Sequence, residues 1–360
     1  MLERDPSNNA RGRLVSAVLS GSWRHTQSPL RIDVVELDAV TPLLYGSGAG
    51  ALGWWRVQET ELQGMESAQV LHQAYRLQAL QAKIHESKIQ KIFRLLRAAN
   101  VEPILIKGWA ISRLYPQAGL RPFGDIDLFV RPEESRRAQE VVQSDEAKDC
   151  WVDLHDRISE LDDRDGNDLF FRSQFVSCGA EQIRVLSAED HFGLLAIHML
   201  KHGAWRPLWL CDIAMLLESS PDTFDWKLCL GAGKRRANWI LTAGGLAQAM
   251  LSAEIRNDEI AGQVSRLPNW IISSVLKEWN APFATRQPPM SHLAPLRKYL
   301  REPSGLLGDL VNRWPNPILA TISVNGQFNR LPRLPYQLGN LVSRAGRFLF
   351  VTPRIKSQGL

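Results

Sequence analysis

The stretch Ile104–Val130, ILIKGWAISRLYPQAGLRPFGDIDLFV, reads as an apolar strand, a Lys-Gly turn, a short helix, a loop and a second strand carrying two aspartates. Side chains alternate across a strand, so Asp125 and Asp127 are expected on one face, followed by Phe129. Ile126, Leu128 and Val130 then face a core on the other side. Two carboxylates held side by side repel each other unless a cation lies between them. Hard oxygen ligands of this kind suit a magnesium ion that also holds substrate phosphates. An Asp-x-Asp pair alone is common and usually marks a solvated strand end. The order of turn, helix, Asp-x-Asp strand and a later acidic strand carries the reading.

Working outward, Ser67–Asn100 shows apolar residues at three- and four-residue spacing, among them Leu71, Tyr75, Leu80, Ile84, Ile92, Phe93 and Leu96. That spacing predicts a long helix, or two in line, ending at Asn100. Lys107-Gly108 opens the helix Trp109–Tyr115, where backbone N–H groups and a glycine favour a close anion. Lys107 and Arg121 are candidate phosphate partners. Beyond the Asp strand, Pro132–Val142 reads as a helix and Trp151–His155 as a third strand. Alternation puts Trp151, Asp153 and His155 on one face of that strand. Asp153 is the candidate third carboxylate, as metal ligand or as general base on an acceptor hydroxyl. Leu161–Asn167 reads as an acid-rich, mobile loop.

From Ser187 the pattern is helical. Ser187 is an N-cap candidate with an acid three residues on. His191, Leu195, His198, His202 and Trp205 then form one stripe. His198 and His202 have the i, i+4 spacing of zinc enzymes, but the Glu of H-E-x-x-H is missing and no zinc is expected. Helices are predicted for Pro207–Glu218 and from Trp226 to about Ser252, broken near Gly231-Ala232-Gly233. Lys234-Arg235-Arg236 reads as a solvated turn. After Asn269 the pattern loosens, and Pro282, Pro288, Pro289 and Pro295 mark a linker-like stretch.

These residues resemble the nucleotidyltransferase superfamily that shares its fold with DNA polymerase beta, and most closely a bacterial group of it. The resemblance rests on Lys107-Gly108, on Gly124-Asp125-Ile126-Asp127 and on Asp153 in Trp151–His155, with Tyr115-Pro116 and Arg121 between. Most of the superfamily has Gly-Ser where this chain has Lys-Gly, a form the bacterial group shares. The resemblance implies an α/β fold, a small mixed sheet with flanking helices followed by a helical domain. It implies transfer of a nucleoside monophosphate from a nucleoside triphosphate, with ATP the expected donor, to a hydroxyl-bearing acceptor, releasing pyrophosphate. In that reading Asp125, Asp127 and Asp153 are catalytic and bind Mg2+, or Mn2+ in its place. Lys107, Gly108 and Arg121 hold the nucleotide. The stripe is implied to face the cleft, making His155, His198 and His202 cleft-lining candidates, with Asp212 nearby. The acceptor, a small molecule, a peptide or a protein, is not specified.

Length and composition set bounds. At 360 residues the chain is expected to hold two or three domains. The division reads as 1–66, an N-terminal segment partly disordered and then helical; 67–186, the nucleotidyltransferase-like domain; 187–280, the helical domain; and 281–360, a basic, Pro-containing tail. Residues 1 to about 30, rich in Ser, Asn, Gly and Arg, are expected to be poorly ordered. Gly46–Gly53, GSGAGALG, lacks the Lys-Ser or Lys-Thr of a phosphate loop and reads as a flexible turn between helices, with Trp54-Trp55 packing beside it. Four widely spaced cysteines suggest neither a disulfide framework nor a zinc site. No signal-like segment and no long apolar run is visible, so a cytoplasmic protein is expected.

The net charge of +5 is uneven: residues 291–360 hold ten Lys/Arg against two Asp/Glu, leaving a balance of −3 for the rest. The core is therefore no general nucleic-acid grip, and a nucleic-acid-tailing enzyme is the weakest reading. The basic tail is suited to peripheral contact with a membrane surface or an acidic partner. A catalytically silent nucleotide-binding or partner-docking protein on the same fold is the alternative, because a fold does not fix a function.

Overall fold

The computed structural model describes residues 9–264, 266–282 and 314–344. At its centre is the sheet that Ile104–Val130 begins. Strand β1 (Ile104–Leu105) pairs antiparallel with β2 (Ile126–Phe129), with Ile104 opposite Phe129, and parallel with β5 (Glu181–Val185). Strand β3 (Val152–His155) runs parallel to β2, and β4 (Gln174–Cys178) antiparallel to β5. The sheet is thus five-stranded and mixed, in the order β3-β2-β1-β5-β4. The hairpin of β4 and β5 turns at Gly179, whose φ is +58°. It is absent from the elements that spacing predicts, because each strand is only five residues long and its first half is solvated.

Alternation sorts the two faces of the sheet. Leu105, Ile126, Leu128, Val130, Ile183 and Val185 share one buried cluster. Against them lie Ile89, Ile92, Phe93 and Leu96 from the second half of α4 (Glu66–Ala98), and Ala138 of α6 (Ser135–Val142). The helix α4 is one uninterrupted element, and Asn100 just beyond it takes a left-handed φ of +56°. On the opposite face Ile104, Ile106 and Phe129 belong to a larger core built mainly of helices. Asp127 shares that face, so the helical body covers the carboxylate side of the sheet.

That larger core joins segments far apart in sequence. It takes in α1 (Ala10–Leu19), α2 (Val34–Ser47), α3 (Gly50–Val57), α8 (Ala188–Lys201), α9 (Pro207–Ser219), α11 (Lys234–Leu251) and α13 (Asn269–Trp279). The N-terminal segment and the helical domain of the sequence reading therefore contribute to one buried cluster. Residues 1 to about 30 were expected to be poorly ordered, and for residues 10–19 the structure corrects this; residues 1–8 lie outside the described part. Val15, Val18 and Leu19 recur at helical spacing and are fully buried. Glu218 of α9 then accepts hydrogen bonds from Trp23 Nε1 at 2.9 Å and from Arg24 Nε at 2.8 Å.

Other expectations are refined. Only Gly48-Ala49 of the Gly46–Gly53 stretch is a turn; α3 starts at Gly50, where a side chain would press on Ala74. Trp54 packs as expected, stacked on His72 at 4.1 Å. The mobile loop expected at Leu161–Asn167 is tied down. Leu161 is buried, Arg164 pairs with the fully buried Asp190, and Asp165 caps α7 (Gly166–Arg172). Ser187 caps α8 as its sequence suggests. The break at Gly231–Gly233 separates α10 (Trp226–Leu230) from α11. Lys234–Arg236 is the first turn of α11 rather than a solvated turn, and Arg236 is buried against Asp163 at 3.1 Å. Beyond Asn269, α13 is regular.

The short α12 (Asp258–Val264) packs beside α11. Of the basic tail, residues 314–344 include α14 (Pro317–Ser323) and lie on the body, where Arg333 is buried over the rings of Trp270 and Tyr336. Pro288, Pro289, Pro295 and residues 345–360 lie outside the described part. Among the described residues no helix is long and apolar enough to cross a membrane.

Candidate active site

The site grows from the edge of β1. Ile106 N–H donates to the Asp127 carbonyl at 3.1 Å, which extends the β1–β2 ladder by one residue. The chain then turns at Gly108, φ +61° and ψ −114°, into the one-turn helix α5 (Trp109–Ser112). This turn lays Lys107 over β2, where its Nζ lies 2.7 Å from Asp127 Oδ1. The parallel register of β2 and β3 sets Asp127 opposite Asp153 and Phe129 opposite His155. As a result Asp127, Asp153 and His155 each offer a ligand atom within 4.8 Å of the others. His155 Nε2 is 3.3 Å from Asp127 Oδ1 and 3.3 Å from Asp153 Oδ2.

Exposure separates the two acids: the Asp127 side chain is 7% exposed and that of Asp153 is 58% exposed. Burial alone would raise the Asp127 carboxyl. The hydrogen bond with His155 and the charge of Lys107 outweigh it and hold the group below the usual carboxylate range. That hydrogen bond also raises the His155 imidazole against burial, and the Asp153 charge adds to it. The group thus has one buried carboxylate beside Lys107 and His155, with a second carboxylate open to solvent.

Asp125 does not join this group. The strand begins at Ile126, so Asp125 is exposed just before it. Opposite it, Trp151 leaves β3 with a φ of +51° and is 69% exposed. The charge of Asp125 is instead felt by His85 and by Arg206. Arg121 pairs outside this group, although the charge of Asp127 still reaches it. Its guanidinium is buried and donates to Asp212 through Nη2 at 2.8 Å and Nε at 3.2 and 3.3 Å. Tyr115 Oη donates to the same carboxylate at 2.8 Å.

The histidine stripe that begins on α8 lies within reach of the Lys107 charge. His191 is fully buried, which pushes its imidazole down to about 3. His198 is also pushed down to about 3, by burial first and then by His202 and Lys107; Glu160 and Asp127 act the other way. His198 and His202 stand 4.6 Å apart, ring to ring, and both reach Trp209 of α9. Arg206, Trp209 and Glu160 are neighbours of the site that sequence reasoning did not single out. They carry no motif; the packing of α9 on α8 brings Arg206 and Trp209 there, and the loop after β3 brings Glu160 within 3.9 Å of His198 Nδ1.

Residues 48–240, more than half of the chain, match the model of a family described as an uncharacterised nucleotidyltransferase. The chain belongs to that family. The matched span holds the entire sheet, the carboxylate group and the histidine stripe. No curated protein and no solved structure matches the chain.

Proposed function

We propose that the protein moves a nucleoside monophosphate from a nucleoside triphosphate, with ATP the expected donor, to a hydroxyl group of an acceptor. The observation that carries this reading is the β2–β3 register, which sets Asp127 beside Asp153 under the Lys107 ammonium. A bond forms between the acceptor oxygen and the α-phosphorus, the bond from that phosphorus to the β-phosphate bridge breaks, and pyrophosphate leaves.

The donor set fits a divalent cation. Two carboxylates supply hard oxygens suited to magnesium or manganese, and an imidazole lies within the same reach. Asp127 and Asp153 would hold it, with His155 beside them. When bound, it neutralises triphosphate charge at the reacting phosphorus. The protein's own part is positioning and charge, as phosphoryl chemistry requires. Lys107, displaced from Asp127 toward the substrate, pairs with a phosphate oxygen. The backbone at Gly108 has no side chain to keep the phosphates away. Asp153, the solvent-open acid, takes the proton of the acceptor hydroxyl. Arg121 acts through Asp212, bracing the loop that leads into β2.

The test is incubation with each α-labelled triphosphate, a divalent metal and cell extract, scoring pyrophosphate release and label transfer. The double variant Asp125→Ala with Asp127→Ala should abolish both, and unchanged turnover in it would remove the mechanism. One observation favours a second reading, a silent nucleotide-binding protein: Lys107 already neutralises Asp127, as a retired metal site would need. Metal-dependent ATP binding without pyrophosphate release across a broad acceptor screen would select that reading.

A further inference from the structure

Arg206, between α8 and α9, carries a guanidinium with little to hold it. Among the described residues no carboxylate lies within ion-pairing distance, and its single hydrogen bond runs from Nε to the Ser47 carbonyl at 2.8 Å. Guanidinium has five N–H donors, and against the half-buried Arg206 the more deeply buried Arg56 and Arg121 are better satisfied. Arg56 reaches the Val18 and Ser28 carbonyls and Gln27, and Arg121 has Asp212. Burial pulls Arg206 down to about 10, and the nearby Arg121 charge pulls the same way.

The arginine is nonetheless placed with care. Gly48 ends α2 at a φ of +81°, and a Cβ there would come within 2.5 Å of Arg206 Nη2. The glycine-rich turn that superficially looks like a phosphate loop therefore seats a cation.

Trp209 lies beneath that cation, its ring centroid 5.9 Å from Arg206 Cζ. His202 and Trp205 meet the same indole at 5.3 Å each, and His198 meets it edge-on at 5.2 Å. These rings form a partly exposed aromatic ledge. The ledge lies within electrostatic reach of the carboxylates, since the charges of Lys107 and Asp127 act on His198 and that of Asp125 acts on Arg206. An aromatic ledge beside an unpaired cation suits a ligand that is flat and aromatic at one end and anionic a few ångströms away.

The geometry points to a nucleotide subsite on the α8–α9 turn, in which Trp209 stacks on the nucleobase and Arg206 takes an oxygen of the phosphate chain. This assignment rests on the nucleotidyl-transfer reading and adds where the donor lies. Stacking on an aromatic side chain tolerates every base, so the subsite gives affinity with little base preference.

The test is equilibrium binding of labelled ATP, with tripolyphosphate as the probe that lacks a base, in the presence of a divalent metal and no acceptor. Trp209→Leu should weaken ATP roughly tenfold to a hundredfold and leave tripolyphosphate unchanged. Trp209→Phe, which keeps a ring, should retain ATP within a few-fold and controls for folding. Arg206→Gln should weaken both probes. Gly48→Ala should do the same by pushing the guanidinium off its seat.

Wild-type affinity for ATP in Trp209→Leu overturns the subsite, as does an equal loss of both probes. If pyrophosphate release is lost in the Asp125/Asp127 double variant while Trp209→Leu binds ATP normally, the transfer reading stands and the subsite falls. If turnover persists in that double variant while Trp209→Leu loses ATP, the subsite stands and the carboxylate mechanism falls. If Trp209→Leu loses ATP but the wild type releases no pyrophosphate with any triphosphate and acceptor, the subsite stands and the transfer reading falls. A wild-type protein that binds neither probe overturns both.

Discussion

Replacing Asp212 by Asn keeps the shape of a fully buried side chain and removes its charge. The carboxylate accepts from Tyr115 at 2.8 Å and from Arg121 Nη2 at 2.8 Å, with Nε at 3.2 and 3.3 Å. Arg121 is itself only 8% exposed, so its charge has no water to fall back on. Breaking a buried pair by removing one partner costs about 3–5 kcal/mol, since the other charge stays buried and uncompensated. Against a total stability of about 5–15 kcal/mol this is a large fraction.

The expected result in urea unfolding is a midpoint shift of that size with an unchanged slope. Arg121→Met combined with Asp212→Leu removes both charges and should recover most of the loss, with a coupling energy of about 3 kcal/mol. The same pair separates a brace from a phosphate ligand. If Arg121 is a brace, the double variant regains ATP affinity along with stability; if it touches phosphate, stability returns and affinity does not. A loss below about 1 kcal/mol for Asp212→Asn, or additive single variants, would refute the reasoning.

Glu218 should give a pH signature. Burial raises its carboxyl, but the hydrogen bonds from Arg24, the Glu254 N–H and Trp23 outweigh burial and hold it below its ordinary value. A carboxyl lowered in the folded state stabilises above its unfolded value of about 4.3 and loses that contribution as pH falls through the lowered one. Urea midpoints of the wild type should therefore fall more steeply below about pH 5 than those of Glu218→Gln, and parallel curves would contradict the assignment. Gly12 lets α1 approach α13 so closely that a Cβ would meet the Leu276 carbonyl oxygen at 2.3 Å. Gly12→Ala should cost about 1–3 kcal/mol by urea unfolding, and a neutral result would mean that α1 is not docked as described.

Much of the site was legible because it lies on local patterns. Alternation in Asp125–Val130 correctly assigned Ile126, Leu128 and Val130 to a core, and Asp153 and His155 to one face of β3. Helix over Ser67–Asn100 and its end near Asn100 followed from apolar spacing, while the structure decided that α4 is one 33-residue helix rather than two in line. Asp125 was read as part of the same strand, but strand ends depend on what they pair with. Here the ladder runs from Ile126 opposite Val152, while Trp151 turns away. Arg121 looked free because nothing local pairs with it; its partner Asp212 is 91 residues away. Residues 10–19 were read with the Ser-, Asn-, Gly- and Arg-rich stretch around them, although Leu14, Val15, Val18 and Leu19 recur at helical spacing and pack once partner helices are present.

By itself the sequence determined the α/β class and the order of turn, helix and acidic strands, since these rest on side-chain periodicity over a few residues. The tertiary structure alone decided which acids meet, that Lys107 lies on Asp127, and that Arg206 lies over Trp209. Those facts depend on strand register and on the packing of helices far apart in the chain, and periodicity within one element carries no information about either.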